Sequence, residues 1–129
     1  MKTTIFVYGT LMRDGCRGSV LEGEEFLREA RTASAYVLLD LRYCPGLVPA
    51  SKRDAPVAVE GELWRVGPDM IERLDRIEGA PHHYQLKRIN IEGETEPVYA
   101  YFYNHARQGV PVYQGARWDN SRTFATKGA

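Results

Sequence analysis

Only two cysteines, Cys16 and Cys44, occur in the 129 residues. That is too few for a disulfide framework, and their separation is not that of a zinc site. They read as a reduced, cytoplasmic pair. An excess of one charge is missing as well. The 17 basic and 17 acidic residues cancel, which excludes a strongly basic nucleic-acid arm. No apolar run approaches the ~18 residues of a membrane helix, and the first nine residues lack the h-region of a signal peptide. Internal repeats and low-complexity tracts are absent. The expectation is a soluble cytoplasmic protein that engages neither nucleic acid nor membrane, with an oligomeric state the composition leaves open.

What the chain does have is punctuation and tyrosine: 12 Gly, 7 Pro and 8 Tyr. Leu, Ile, Val and Phe number 29, enough for a core without staples at this length. The reading is a single domain over residues 1–119 with a C-terminal tail at 120–129. Ile5-Phe6-Val7-Tyr8 is a short apolar run that ends at Gly9, as a buried strand would. A glycine-rich stretch follows from Arg13 to Gly18. Ser19 to Arg31 tolerates helix but is broken by Gly23, so a short helix is expected there. Ala35–Leu41 is strand-like, and Cys44-Pro45-Gly46 reads as a turn. Val57–Val66, His83–Ile91 and Val98–Tyr103 alternate as strands, with a close backbone approach or bulge at Gly61.

The clearest helix starts at Pro68 and Asp69, which suit a first turn. Met70, Ile71, Leu74 and Ile77 form its apolar stripe, and Gly79 and Pro81 stop it. Five or six strands with one firm and one doubtful helix give an α+β fold around a mostly antiparallel or mixed, barrel-like sheet.

Glu78 is the first candidate for chemistry. It sits at i+7 from Ile71, on the edge of the buried stripe and in the last helical turn. Burial and the helix end both raise a carboxyl pKa, which is how a glutamate becomes an acid/base near neutrality. Its structural alternative is a glutamate that reaches water or pairs with arginine. The second candidate is Val7-Tyr8-Gly9-Thr10-Leu11, where a strand breaking at glycine turns successive N–H groups toward an anion. Its alternative is an ordinary turn; a phosphate loop is excluded because no Gly-Lys-Ser/Thr follows. His82 and His83 point to opposite sides on an extended segment, and no carboxylate or cysteine spacing completes a metal set with His105. Neither cysteine carries the signature of a nucleophile. The Tyr99/Tyr101/Tyr103 ladder reads as a packed sheet face.

In order and spacing, Tyr8-Gly9-Thr10-Leu11, then Leu74-Asp75-Arg76-Ile77-Glu78-Gly79 with Tyr84 six residues after the glutamate, then Ala100-Tyr101-Phe102-Tyr103, resemble the γ-glutamylcyclotransferase superfamily. The nearest branch is the AIG2-like, γ-glutamylamine cyclotransferase group, and the likeness spans roughly Thr4 to Trp118. It implies a small, partly closed β-barrel with one or two short helices. It places substrate binding on the backbone of Tyr8, Gly9, Thr10 and Leu11, catalysis on Glu78, and further substrate contacts on Tyr84 and a later tyrosine, Tyr101 or Tyr103. Arg13–Gly18 departs from the family pattern in lacking its Asn or His. The implied reaction needs no metal or cofactor: the α-amine of a γ-glutamyl compound attacks its own γ-carbonyl, giving 5-oxoproline and a free amine or amino acid. A non-catalytic binding protein of this fold and a γ-glutamyl hydrolase or transferase remain the alternatives.

Overall fold

The computed structural model describes residues 1–122. Its strands are β1 (Thr3–Val7), β2 (Glu25–Arg31), β3 (Tyr36–Asp40), β4 (Pro45–Pro49), β5 (Glu60–Val66), β6 (Tyr84–Ile89) and β7 (Val98–Tyr103), with helix α1 (Pro68–Glu78) between β5 and β6. All seven join one sheet in the order β2-β5-β1-β7-β4-β3, and β6 pairs with β7 off that path.

β1 lies between β5 (antiparallel) and β7 (parallel). Both of its faces are covered, which is why it is apolar without alternation. Phe6 packs with Leu38, Leu47, Leu63 and Phe102 on one side. Ile5 and Val7 pack with Leu11, Met12, Trp64 and Leu74 on the other. β6 runs the length of one edge of β7, so the opposite edge is shared: β1 meets it at Tyr99 and β4 meets it at Phe102. At Gly61 the expected close approach is present. A Cβ there would strike the Val7 carbonyl and come within 2.7 Å of Phe6 Cζ.

The sheet is mixed and curled, but no strand ladder closes it into a barrel. Its β2 and β6 ends touch at one bridge, Thr32↔Ile91, with Ala33 N–H donating to Asn90 O at 3.0 Å and Glu92 N–H to Arg31 O at 2.9 Å. Beyond that point β2 has ended and the chain after β6 turns into the hairpin loop, so no second pair can form. Buried Thr32 seals the junction, accepting Val59 N–H at 2.9 Å while donating to Ala33 O at 2.7 Å.

Helix α1 matches the sequence expectation. Pro68 opens it, Asp69 lies in its first turn, and Gly79 ends it in the left-handed region at φ 64°. Leu74 is fully buried in the second cluster, a burial that stabilises by about 1.5–3 kcal/mol. Met70 and Ile71 pack beside it.

Three expectations fail. The segment expected to hold a short helix contains only a 3₁₀ turn, Gly18–Leu21, before Glu25–Arg31 becomes β2 on the edge of β5. There Phe26 packs edge-on against Trp64 at 5.4 Å, so tertiary pairing overrides local propensity. The expected turn at Cys44-Pro45-Gly46 instead begins β4, whose first residue is the proline, a position where a strand tolerates the missing N–H. Among the described residues seven strands therefore replace the five or six expected. Of the expected tail, residues 120–122 are bonded to the body: Asn120 Nδ2 donates to Gly9 O at 3.1 Å, and Arg122 pairs with Asp40 at 3.0 Å. Residues 123–129 of that tail lie outside the described residues.

Candidate active site

Beyond Val7 the chain leaves the sheet and turns sharply, with Met12 N–H donating to Gly9 O at 3.1 Å and Arg17 N–H to Thr10 O at 2.8 Å. The glycines of the following stretch permit this folding back. A Cβ on Gly15 would strike the Thr10 carbonyl, and one on Gly18 would sit 2.7 Å from Met12 O. Among the described residues, the N–H groups of Gly9, Thr10 and Leu11 make no backbone hydrogen bond. Successive unbonded donors in one turn are a means by which backbone binds anions; these three residues border a cavity of about 330 Å³.

Glu62 anchors the far end of this loop. It is 2% exposed and faces the same layer as Trp64. Its Oε1 accepts from Arg13 N–H and Trp64 Nε1–H, both at 3.1 Å, and its Oε2 accepts from Arg13 Nε–H at 3.1 Å. A buried carboxylate is tolerable only when so fully bonded.

As the last residue of α1, Glu78 lines the same cavity. Burial pushes its carboxyl above the ordinary value, against a smaller downward pull from the Arg17 guanidinium. Desolvation therefore does what the sequence argument divided between burial and the helix end. No hydrogen bond or ion pair engages the Glu78 carboxylate among the described residues. Its charge in turn helps raise the pKa of three surrounding phenols, Tyr8, Tyr84 and Tyr101, each lifted first by its own burial.

The phenols are held by the fold. Tyr8 Oη donates to Tyr101 O at 2.6 Å and accepts from Leu47 N–H at 3.3 Å. It thus fills the fork where β1 and β4 part company along β7, and its side chain is structural. Tyr84 Oη donates to Pro45 O at 2.9 Å, with Cys44 Sγ 3.7 Å away. Tyr101 Oη donates to Asp75 Oδ1 at 2.7 Å. Because Tyr84 and Tyr101 donate into the protein, what they offer a ligand is an acceptor oxygen, suited to an ammonium.

Of the residues singled out in the sequence, Tyr8, Gly9, Thr10, Leu11, Glu78, Tyr84 and Tyr101 all border this cavity. Tyr103 does not. It shares the face of Tyr101 but lies one residue pair further along β7, where it packs beside Val37, Leu39 and Val48 of β3 and β4 and edge-on to Tyr84 and His105, beyond the part of the sheet that carries α1. His83 borders the cavity and meets His105 at 2.8 Å. Among the described residues no set of three possible metal ligands gathers anywhere.

Sequence reasoning missed Arg17, Cys44 and Glu62. Glu62 had a signal, a charge on the strand face that also carries Trp64 and Val66. Arg17 and Cys44 reach the wall only through loops whose course no local pattern dictates.

A γ-glutamyl cyclotransferase, AIG2-like family model matches residues 5–120. The "Putative gamma-glutamylcyclotransferase" of Vibrio cholerae is 30% identical over 81% of this chain and 87% of its own length. Gamma-glutamylaminecyclotransferase B of Danio rerio is 34% identical over 80% of this chain, which spans 59% of that protein. The crystal structure of a mouse AIG2-like protein superposes with a TM-score of 0.75 over 92% of this chain and 88% of that one, at 22% identity, a likeness of fold. The chain belongs to the γ-glutamyl cyclotransferase, AIG2-like family.

Proposed function

We propose that the chain converts a γ-glutamyl compound into 5-oxoproline and a free amine or amino acid. The observation that carries this reading is the pairing, across one cavity, of three unbonded N–H groups at Gly9–Leu11 with the unpaired, half-buried Glu78 carboxylate. The N–H groups take the α-carboxylate of the γ-glutamyl unit. Its α-ammonium then falls toward Glu78 and the phenol oxygens of Tyr84 and Tyr101, beside the carbonyl end of α1, where a cation is favoured.

Held bent in this way, the amine and the γ-carbon are already neighbours, which removes much of the entropic barrier. Glu78 accepts a proton from the ammonium, and the freed nitrogen attacks the γ-carbonyl carbon. The new C–N bond closes the five-membered ring. As the old amide C–N bond breaks, Glu78 gives its proton to the departing nitrogen and takes up the second proton that the ring nitrogen sheds, which leaves with the released amine as its ammonium. A carboxylate raised by burial suits both transfers, a role that contributes ~10²–10⁴-fold.

Incubation with a panel of γ-glutamyl amides and mass-spectrometric detection of 5-oxoproline tests this directly. Free glutamate in place of 5-oxoproline would identify a hydrolase. Saturable binding without product would identify a binding protein.

A further inference from the structure

One charged group on the cavity wall, beyond its weak pull on Glu78, takes no proton and holds no group in the reaction just described. Arg17 is exposed at the rim, held there by its N–H bond to Thr10 O at 2.8 Å. Its guanidinium makes no hydrogen bond or ion pair among the described residues. Arg13, Arg28 and Arg31 each hold a carboxylate. Arg76 also borders the cavity. It precedes Glu78 by two positions on α1 and so leaves the helix on a different side.

Of the ligand's charged groups, the α-carboxylate meets the Gly9–Leu11 turn, whose Gly9 and Leu11 are buried, and the α-ammonium meets the half-buried Glu78. The γ-glutamyl half must therefore lie inward, and the departing amine lies outward under Arg17. A guanidinium presents forked donors that match a carboxylate. We infer that Arg17 is a specificity residue that binds a carboxylate on the departing amine, so that γ-glutamyl amino acids are preferred to γ-glutamyl derivatives of uncharged amines. This rests on the cyclotransferase reading of the site.

The test compares γ-glutamylglycine with γ-glutamylglycinamide, which differ in little but the terminal charge, on the wild type, Arg17→Met and Arg17→Lys. The wild type is expected to favour γ-glutamylglycine in kcat/KM by about tenfold, the scale of a charge-assisted hydrogen bond. Arg17→Met should erase that preference, lowering kcat/KM on γ-glutamylglycine by about tenfold more than on γ-glutamylglycinamide, on top of any shared change from losing the pull on Glu78, and Arg17→Lys should retain part of it. Equal losses on both compounds would overturn the inference, because Arg17 would then serve the shared γ-glutamyl half or Glu78. Equal use of both by the wild type would overturn it too. Absence of 5-oxoproline from both would instead bring down the cyclotransferase reading on which it stands.

Discussion

Replacing Tyr8 by Phe removes one oxygen and strands two buried main-chain groups. The ring stays in its packing, 6.3 Å from Phe6, so no cavity opens. What is lost is the 2.6 Å bond to Tyr101 O and the 3.3 Å bond from Leu47 N–H. Leu47 is 0% exposed, and water does not reach its amide as a substitute. An unsatisfied buried group costs about 1–3 kcal/mol, and the longer bond contributes less than the shorter. Tyr8→Phe should therefore destabilise by about 2–3 kcal/mol, a fall in Tm of about 8 °C for a domain of this size. The catalytic constants should stay within about threefold, because the hydroxyl is already engaged on both sides. Urea denaturation and 5-oxoproline kinetics on the same preparation separate the two effects. Stability within about 0.5 kcal/mol of wild type together with a tenfold loss of kcat/KM would refute this, and would make the Tyr8 hydroxyl a substrate ligand.

Glu78→Gln should lower kcat by about 10²-fold or more while ligand binding persists, since Gln fills the space but takes no proton; calorimetry and turnover assays check both halves. The same carboxyl gives a pH signature. Its folded pKa lies above the ordinary 4.5, so activity should fall as pH drops through that raised value. In stability the sign is opposite: the native state holds the proton more tightly, so this contribution is complete below the unfolded pKa and is lost as pH rises through the folded one. Glu78→Gln should consequently be more stable than wild type at pH 7, with the gap shrinking toward pH 4 in denaturation curves. Gly9→Ala should lower stability and kcat/KM together, because its Cβ would lie 2.7 Å from Pro45 Cγ and Pro45 O is what holds Tyr84; overpacking of this kind costs about 1–3 kcal/mol. Glu62→Gln should raise KM several-fold with a smaller change in kcat, since its amide would oppose the Arg13 Nε–H donor and loosen the turn to which we assign the α-carboxylate.

The elements legible in the sequence are those with local signals. α1 announces itself through Pro68, the Leu74 stripe and Gly79. β1 is a short apolar run cut by Gly9, and β6 and β7 form a hairpin around Gly93. β2 and β4 carry no such mark. Glu25–Arg31 alternates poorly, because a bulge between Phe26 and Arg28 shifts its register against β5. Pro45-Gly46 reads as a turn in isolation and becomes a strand through pairing with β3 and β7. The cavity follows the same division. Tyr8–Leu11 and Glu78 sit at ends of elements that the pattern identifies, and Tyr84 opens one. Tyr101 and Tyr103 share one face of β7, and the choice between them depended on how far along the strand α1 packs, a question of tertiary packing.

The central place of β1 has a consequence for how the site comes into being. Its partners β5 and β7 are distant in sequence, and the pairing with β7 is parallel, so it cannot nucleate as a hairpin. During synthesis β1 can pair with β5 once Val66 has emerged, but its second edge, and with it the Gly9–Leu11 turn, must wait for β7 until nearly all of the described chain is made. Such reliance on long-range contacts slows folding and makes it cooperative. A nascent chain halted before Val98 would lack the edge on which β1, β4 and β6 all depend, and it would hold no partial version of the cavity. Binding competence should thus appear in one step, late, with the docking of β7.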